Sequence, residues 1–95
     1  MSAYVIVQIN VTDWEKFQKY IRETPRVMAQ YGGRYLARAG EMTALEGNPS
    51  SARVVLIEFP SLQRAREWYN SPEYQEIKRL REGAASGTIL AVEGC

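Results

Sequence analysis

Glu58 is the carboxylate whose surroundings in the sequence best suit chemistry. It lies in the segment RVVLIEFPS, residues 53–61, which is otherwise dominated by apolar strand-forming residues. A carboxylate taken out of water is strongly destabilised unless a cation neutralises it. Arg34 and Arg38, in the segment RYLAR, are the candidate partners. Three interpretations follow: a structural ion pair, a polar cluster that binds a ligand, or a solvated strand end.

The histidine and cysteine content excludes several kinds of site. The chain has no histidine and one cysteine, Cys95. Ser–His and Cys–His nucleophile pairs, a Cys-based zinc site and an internal disulfide are therefore impossible within it. Histidine is also the commonest metal ligand and general base. We predict no metal site and no cofactor.

Charge and hydropathy restrict the partners and the location. The chain carries 12 Lys and Arg residues against 11 Asp and Glu residues, a net charge of +1, whereas nucleic-acid binding needs clustered basic charge. The apolar segment 1–11 is short and has no basic leader, so we interpret it as a strand and not as a signal peptide. No window has the length of a membrane span. We expect a cytoplasmic protein with one domain, residues 1–95.

Hydrophobic periodicity predicts four strands and two helical regions. Strand-like patterns cover 3–11, 34–39, 53–59 and 88–93, with 41–46 as a possible extension of the second strand and a turn cluster at 47–51. Helical spacing covers about 13–31, where Trp14 belongs to the apolar stripe. Thr12 has capping-box spacing to Glu15, and Pro25 is expected to kink or divide the helix. A second helix begins at Ser61, restarts at Ser71-Pro72 and runs to about Gly83.

The order β-α-β-β-α-β is typical of a ferredoxin-like α+β fold, which has a four-stranded antiparallel sheet with two helices on one face. The other face is left uncovered. Strict alternation along the strands assigns it these residues: Tyr4, Ile6, Gln8, Asn10, Arg34, Leu36, Arg38, Val54, Leu56 and Glu58. The last strand adds either Leu90 and Val92 or Ile89 and Ala91.

So large an apolar surface usually marks an interface. Because most soluble oligomers are symmetric dimers, we predict a homodimer in which two sheets face each other. The result is a dimeric α/β barrel whose lumen these residues line.

Several segments carry a resemblance that extends over nearly the whole chain. They are GGRYLARAG (32–40), LEG (45–47), RVVLIEFPS (53–61), WYNSPEY (68–74) and VEG (92–94). Together they resemble the family called domain of unknown function 1330. The resemblance implies a ferredoxin-like protomer and a dimeric α/β barrel, and it implies no particular activity. Ala39 departs from the family, which usually has glycine there, so the backbone just after Arg38 is in question.

Two functions of different class remain open at this point. The first is a small-molecule binding protein, in which Arg38 holds an anionic group such as a carboxylate through paired hydrogen bonds. Asn10 and Glu58 would orient this ligand, and Tyr69 would line a pocket under the second helix. The alternative is a cofactor-independent monooxygenase or isomerase with Glu58 as its base and Tyr4 as a donor.

Overall fold

The computed structural model describes residues 1–48 and 52–95. Their elements are β1 (Ala3–Val11), α1 (Trp14–Gln30), β2 (Arg34–Arg38), β3 (Arg53–Phe59), α2 (Leu62–Asn70), α3 (Pro72–Lys78), a short 3₁₀ helix (Arg79–Arg81) and β4 (Ala85–Glu93). The strands form one antiparallel sheet in the order β2-β3-β1-β4. This confirms the ferredoxin-like α+β prediction. No strand forms over 41–46, and the predicted turn at 47–51 extends outside the described residues.

α1 begins one residue later than predicted and is continuous. Asp13 is the N-cap, since its carboxylate accepts a hydrogen bond from the Lys16 amide at 3.1 Å, so the prediction of Thr12 as the cap is wrong. Ser61 and Ser71 do cap α2 and α3 as predicted. Pro25 lies inside α1 without dividing it.

Pro25 leaves one acceptor of α1 free. Proline has no backbone N–H, so the carbonyl of Ile21, four residues earlier, lacks its helical donor. The Arg38 guanidinium donates to that carbonyl instead, with Nη2 3.3 Å from the oxygen. A side chain of the edge strand β2 therefore reaches over to α1.

The core lies between the helices and one face of the sheet. Its largest fully buried side chains are Trp68, Tyr74, Phe59 and Val27. Trp14 is 49% exposed, so its assignment to the buried stripe of α1 is wrong; the stripe runs through Phe17, Tyr20, Thr24, Val27 and Met28. None of the helices in the described ranges has the length and apolarity required to cross a membrane.

A β-bulge in β2 overturns part of the predicted face assignment. Tyr35 pairs with Ile57 and Ala37 pairs with Leu56, so Leu36 is an extra residue between them. After a bulge the alternation shifts by one, and Arg38 pairs with the buried Val55. Arg38 is therefore on the helix-covered face, and the prediction that it shares the uncovered face with Glu58 is wrong. Ala37, which strict alternation assigns to the helix-covered face, is instead on the uncovered face.

The register of β4 decides which of its residues lie on the uncovered face. Leu90 pairs with Ile6 and Val92 pairs with Tyr4 across β1. Leu90 and Val92 therefore belong to the uncovered face, where they are 50% and 46% exposed. We call the outward side of the sheet, with Tyr4, Ile6, Leu36, Val54, Leu56, Leu90 and Val92, the open sheet face.

Candidate functional site

A cleft with apolar walls opens between α1 and the sheet. Its walls include Val7, Ile9, Val55, Ile57 and Ile89 from the strands and Phe17 from α1. Its volume is about 40 Å³, whereas a single water needs roughly 10–15 Å³ measured in this way. The cleft therefore has room for about three waters, or for one end of a ligand whose remainder lies outside it.

Two arginines line this cleft. The Arg38 guanidinium lies 4.5 Å from the centre of the Tyr35 ring and donates to the Ile21 carbonyl. That of Arg53 lies within 6 Å of the Trp14 and Phe17 ring centres, at 5.7 and 5.9 Å. Within the described residues, neither arginine forms an ion pair with a carboxylate. The cleft thus carries uncompensated positive charge.

Desolvation and a neighbouring cation act on Arg53. Burial, and then the neighbouring charge of Arg38, lowers the pKa of Arg53 from its ordinary value. The pKa of Tyr35 is raised, because burial disfavours its anion more than the adjacent Arg38 stabilises it. An anion that entered the cleft would relieve the repulsion between the two guanidinium groups.

Trp68 adds a polar group to the apolar wall. It is 1% exposed, and its indole Nε1 has no hydrogen-bond partner in the described part of the chain. The side chain lines the cleft and also a groove between α2 and β4. Buried donors without partners are uncommon, so this indole N–H is a polar group that the packing around it leaves unsatisfied.

Glu58 lies on the other side of the sheet and has a definite partner. Its Oε1 accepts from Nε of Arg34 at 2.7 Å and lies 2.6 Å from Nη2 of the same residue. Tyr4 is directly opposite Glu58 in the register of β1 and β3. Of the two arginines predicted as partners, Arg34 is the one that pairs with Glu58.

The four residues predicted to bind a ligand do not come together. Asn10 is exposed and pairs with Ser86, six positions along β1 from Tyr4, a distance of about 20 Å at the rise of a strand. Asn10 and Glu58 are therefore near opposite ends of the sheet, and Arg38 is on its other face. Tyr69 lines the groove between α2 and β4, under the second helical region as predicted. Their role in binding stays a prediction.

Sequence reasoning missed Arg53 and Tyr35 as parts of the cleft. Arg53 has the same parity as Val55 and Ile57 in β3, and a cation on an otherwise apolar face was a signal that could have identified it. In the described residues, no group of three His, Cys, Asp or Glu side chains is arranged to hold a metal ion.

Comparisons with known proteins agree with the fold. The sequence model of the family described as "Domain of unknown function (DUF1330)" matches residues 2–95. No curated protein matches significantly. A protein of unknown function from Rhodopseudomonas palustris has a similar structure, with a TM-score of 0.80, 17% identity, and coverage of 99% of this chain and 82% of the other.

Two further similar structures carry descriptions of activity or assembly. SnoaB, a cofactor-independent oxygenase from Streptomyces nogalater, has a TM-score of 0.67 at 11% identity, with 99% of this chain and 93% of the other covered. A protein of unknown function from Bacteroides fragilis, described as dimeric with a ferredoxin-like fold, has a TM-score of 0.57 at 14% identity, with 98% and 96% covered. At these identities the likeness concerns the fold alone.

Proposed function

Since the chain belongs to the family described as domain of unknown function 1330, a description that names no activity, we propose a function from the site itself. The protein binds a small, largely apolar molecule with one acidic group in the cleft between α1 and the sheet. The observation that carries this proposal is the pair of guanidinium groups, Arg38 and Arg53, beside apolar walls and without a carboxylate partner among the described residues.

The chemistry of the cleft favours a carboxylate over a neutral ligand. Guanidinium groups bind carboxylates through charge-assisted, often bidentate hydrogen bonds. The walls supply hydrophobic contact for an aryl or short alkyl group, and small-molecule sites commonly combine such walls with a few placed polar groups. Relative to the prediction from sequence, Arg38 keeps its role, while Arg53 replaces Glu58 and Asn10 as its companion.

Calorimetric titration with benzoate and benzyl alcohol tests this proposal. We expect benzoate to bind more tightly than the alcohol, and each of Arg38→Met and Arg53→Met to weaken benzoate binding about tenfold, since a hydrogen bond to a charged group is worth roughly 1.5–3 kcal/mol. Arg22→Met is the matched control, because Arg22 is exposed on α1 and does not line the cleft. Equal affinity of both variants and the control for benzoate would reject the proposal.

We also propose that a second copy of the chain covers the open sheet face, giving a dimeric α/β barrel. The exposed Leu36, Leu90 and Val92 support this, as does the similar Bacteroides fragilis protein that is described as dimeric. Sedimentation should give twice the 10.8 kDa mass of the chain. Leu90→Glu should produce single chains, whereas Leu45→Glu, at a 95% exposed position outside the sheet, should not. A single chain in the unaltered protein at micromolar concentration would contradict this proposal.

A cofactor-independent oxygenase or isomerase is the second candidate function. The likeness to SnoaB motivates it, as does the register that sets Tyr4 opposite Glu58 on the open sheet face. In that reaction Glu58 would act as the base once released from Arg34. Turnover of quinol or enol substrates that is lost in Glu58→Gln would support this function, and full turnover in that variant would remove Glu58 from the mechanism.

A further inference from the structure

A second, polar hollow lies between the end of the helical layer and the start of β4. Lys78 from α3, Arg81 from the 3₁₀ helix and Ser86 from β4 line it, together with Tyr69. Its volume is about 190 Å³, far more than the roughly 10–15 Å³ that one water requires. A tetrahedral oxyanion with several waters fits this space.

The hollow is positively charged. Within the described ranges, neither Lys78 nor Arg81 forms an ion pair with a carboxylate. The Lys78 ammonium lies 5.3 Å from the centre of the Tyr69 ring, and the Arg81 guanidinium lies 5.2 Å from that of Tyr20. Aromatic faces therefore hold both cations in position while leaving their charge uncompensated.

Arg81 has spare hydrogen-bonding capacity. Its Nη2 lies 3.4 Å from the hydroxyl oxygen of Tyr74, a weak contact. Its Nε is buried and has no partner in the part of the chain that the structure describes. The guanidinium is thus only weakly engaged by protein acceptors, which leaves donor capacity for a ligand oxygen in the hollow.

An apolar groove adjoins the hollow. It lies between α2 and β4, has a volume of about 310 Å³ and shares Tyr69 and Ile89 with the hollow. Val5, Ala65 and Trp68 contribute to its walls. Hollow and groove therefore offer, side by side, a cationic space and an apolar one.

We propose that the hollow is a binding site for an organic phosphate whose apolar part lies in this groove. A phosphate monoester carries a charge of about −1.5 to −2 near pH 7, which matches two uncompensated cations better than a monoanionic carboxylate does. The guanidinium of Arg81 suits the phosphate oxygens geometrically, and Lys78 supplies a point charge. Its cations differ from Arg38 and Arg53 of the cleft, although Ile9 and Ile89 line both spaces.

Titration of the whole protein with phenyl phosphate, followed by calorimetry and amide NMR, tests the site. We expect chemical-shift changes at the amides of Ser86 and Gly87, which line the hollow. Lys78→Gln should bind about tenfold more weakly, the effect of losing one charge-assisted hydrogen bond. Lys19→Gln, at an exposed position on α1, is the matched control and should bind normally. Arg38→Met should also bind normally, which separates this result from the test of the cleft.

The remaining outcomes would overturn the proposal. They are unaltered affinity in Lys78→Gln, equal losses in Lys78→Gln and Lys19→Gln, or the absence of shifts at Ser86 and Gly87. Benzoate binding at these amides as tightly as phenyl phosphate would refute the preference for a dianion. Inorganic phosphate binding as tightly as phenyl phosphate would refute the role of the groove.

Discussion

Tyr74→Phe should change its effect on stability with pH. The Tyr74 hydroxyl is buried and shares a 2.7 Å hydrogen bond with that of Tyr20. Removing it at pH 7 breaks this bond and the weak contact from Arg81 Nη2, and it leaves the Tyr20 hydroxyl without Tyr74 as its partner. The expected cost is about 1–2 kcal/mol of unfolding free energy.

At alkaline pH the same substitution should no longer lower the unfolding free energy relative to the unaltered protein. Burial raises the pKa of Tyr74 above its ordinary value of 10.0, so above pH 10 the unfolded chain loses a proton that the folded protein keeps. The stability due to this group is complete below pH 10 and falls as the pH rises, by about 1.4 kcal/mol per unit. Near pH 11 the unaltered protein has therefore lost about as much unfolding free energy as the substitution removed at pH 7. The two proteins should then have similar stability.

Urea unfolding followed by circular dichroism between pH 7 and pH 11 measures this convergence. The double variant Tyr20→Phe/Tyr74→Phe is the control, since removing both hydroxyl groups avoids an unpaired one and should cost less than the sum of the single changes. A constant difference between Tyr74→Phe and the unaltered protein over the whole pH range would refute the argument.

Three further substitutions test local geometry. Ala39 has φ of 55°, so Ala39→Gly should raise the unfolding free energy by roughly 0.5–1 kcal/mol; a lower thermal midpoint would contradict this. Gly33→Ala should lower it by about 1–3 kcal/mol, because an added Cβ would lie 2.7 Å from Cε1 of Phe59; unchanged urea unfolding would be the contrary result. In the single chain, Glu58→Gln should cost at most about 1 kcal/mol, since the side chain of its partner Arg34 is 72% exposed, and less in 1 M salt; a cost that stays the same in 1 M salt would contradict this.

The fold was predictable because its strands obey simple alternation. β1 and β3 occupy the predicted residues, since each combines a buried face with strand-forming side chains. β4 begins earlier than predicted, at Ala85, because pairing with the end of β1 outweighs the weak strand preference of Ser86 and Gly87.

The site was less predictable because it depends on one irregularity. In the five-residue β2, nothing in the local pattern reveals the extra residue Leu36. Strict alternation, which takes no account of the bulge, assigns Arg38 to the wrong face and so separates it from Arg53. Ala39, where the family usually has glycine, does have a left-handed backbone conformation. Glycine adopts this conformation freely and alanine does not, so the departure from the family marks a strained position.

Pro25 has a consequence for how the layers move together. The hydrogen bond from Arg38 ties the middle of α1 to the outermost strand at the Ile21 carbonyl. A ligand that drew the guanidinium away would untie this connection and leave the carbonyl to water. Occupancy of the cleft would thereby loosen the middle of α1, so faster amide exchange around Ile21, which lines the cleft, would report that a ligand has displaced Arg38.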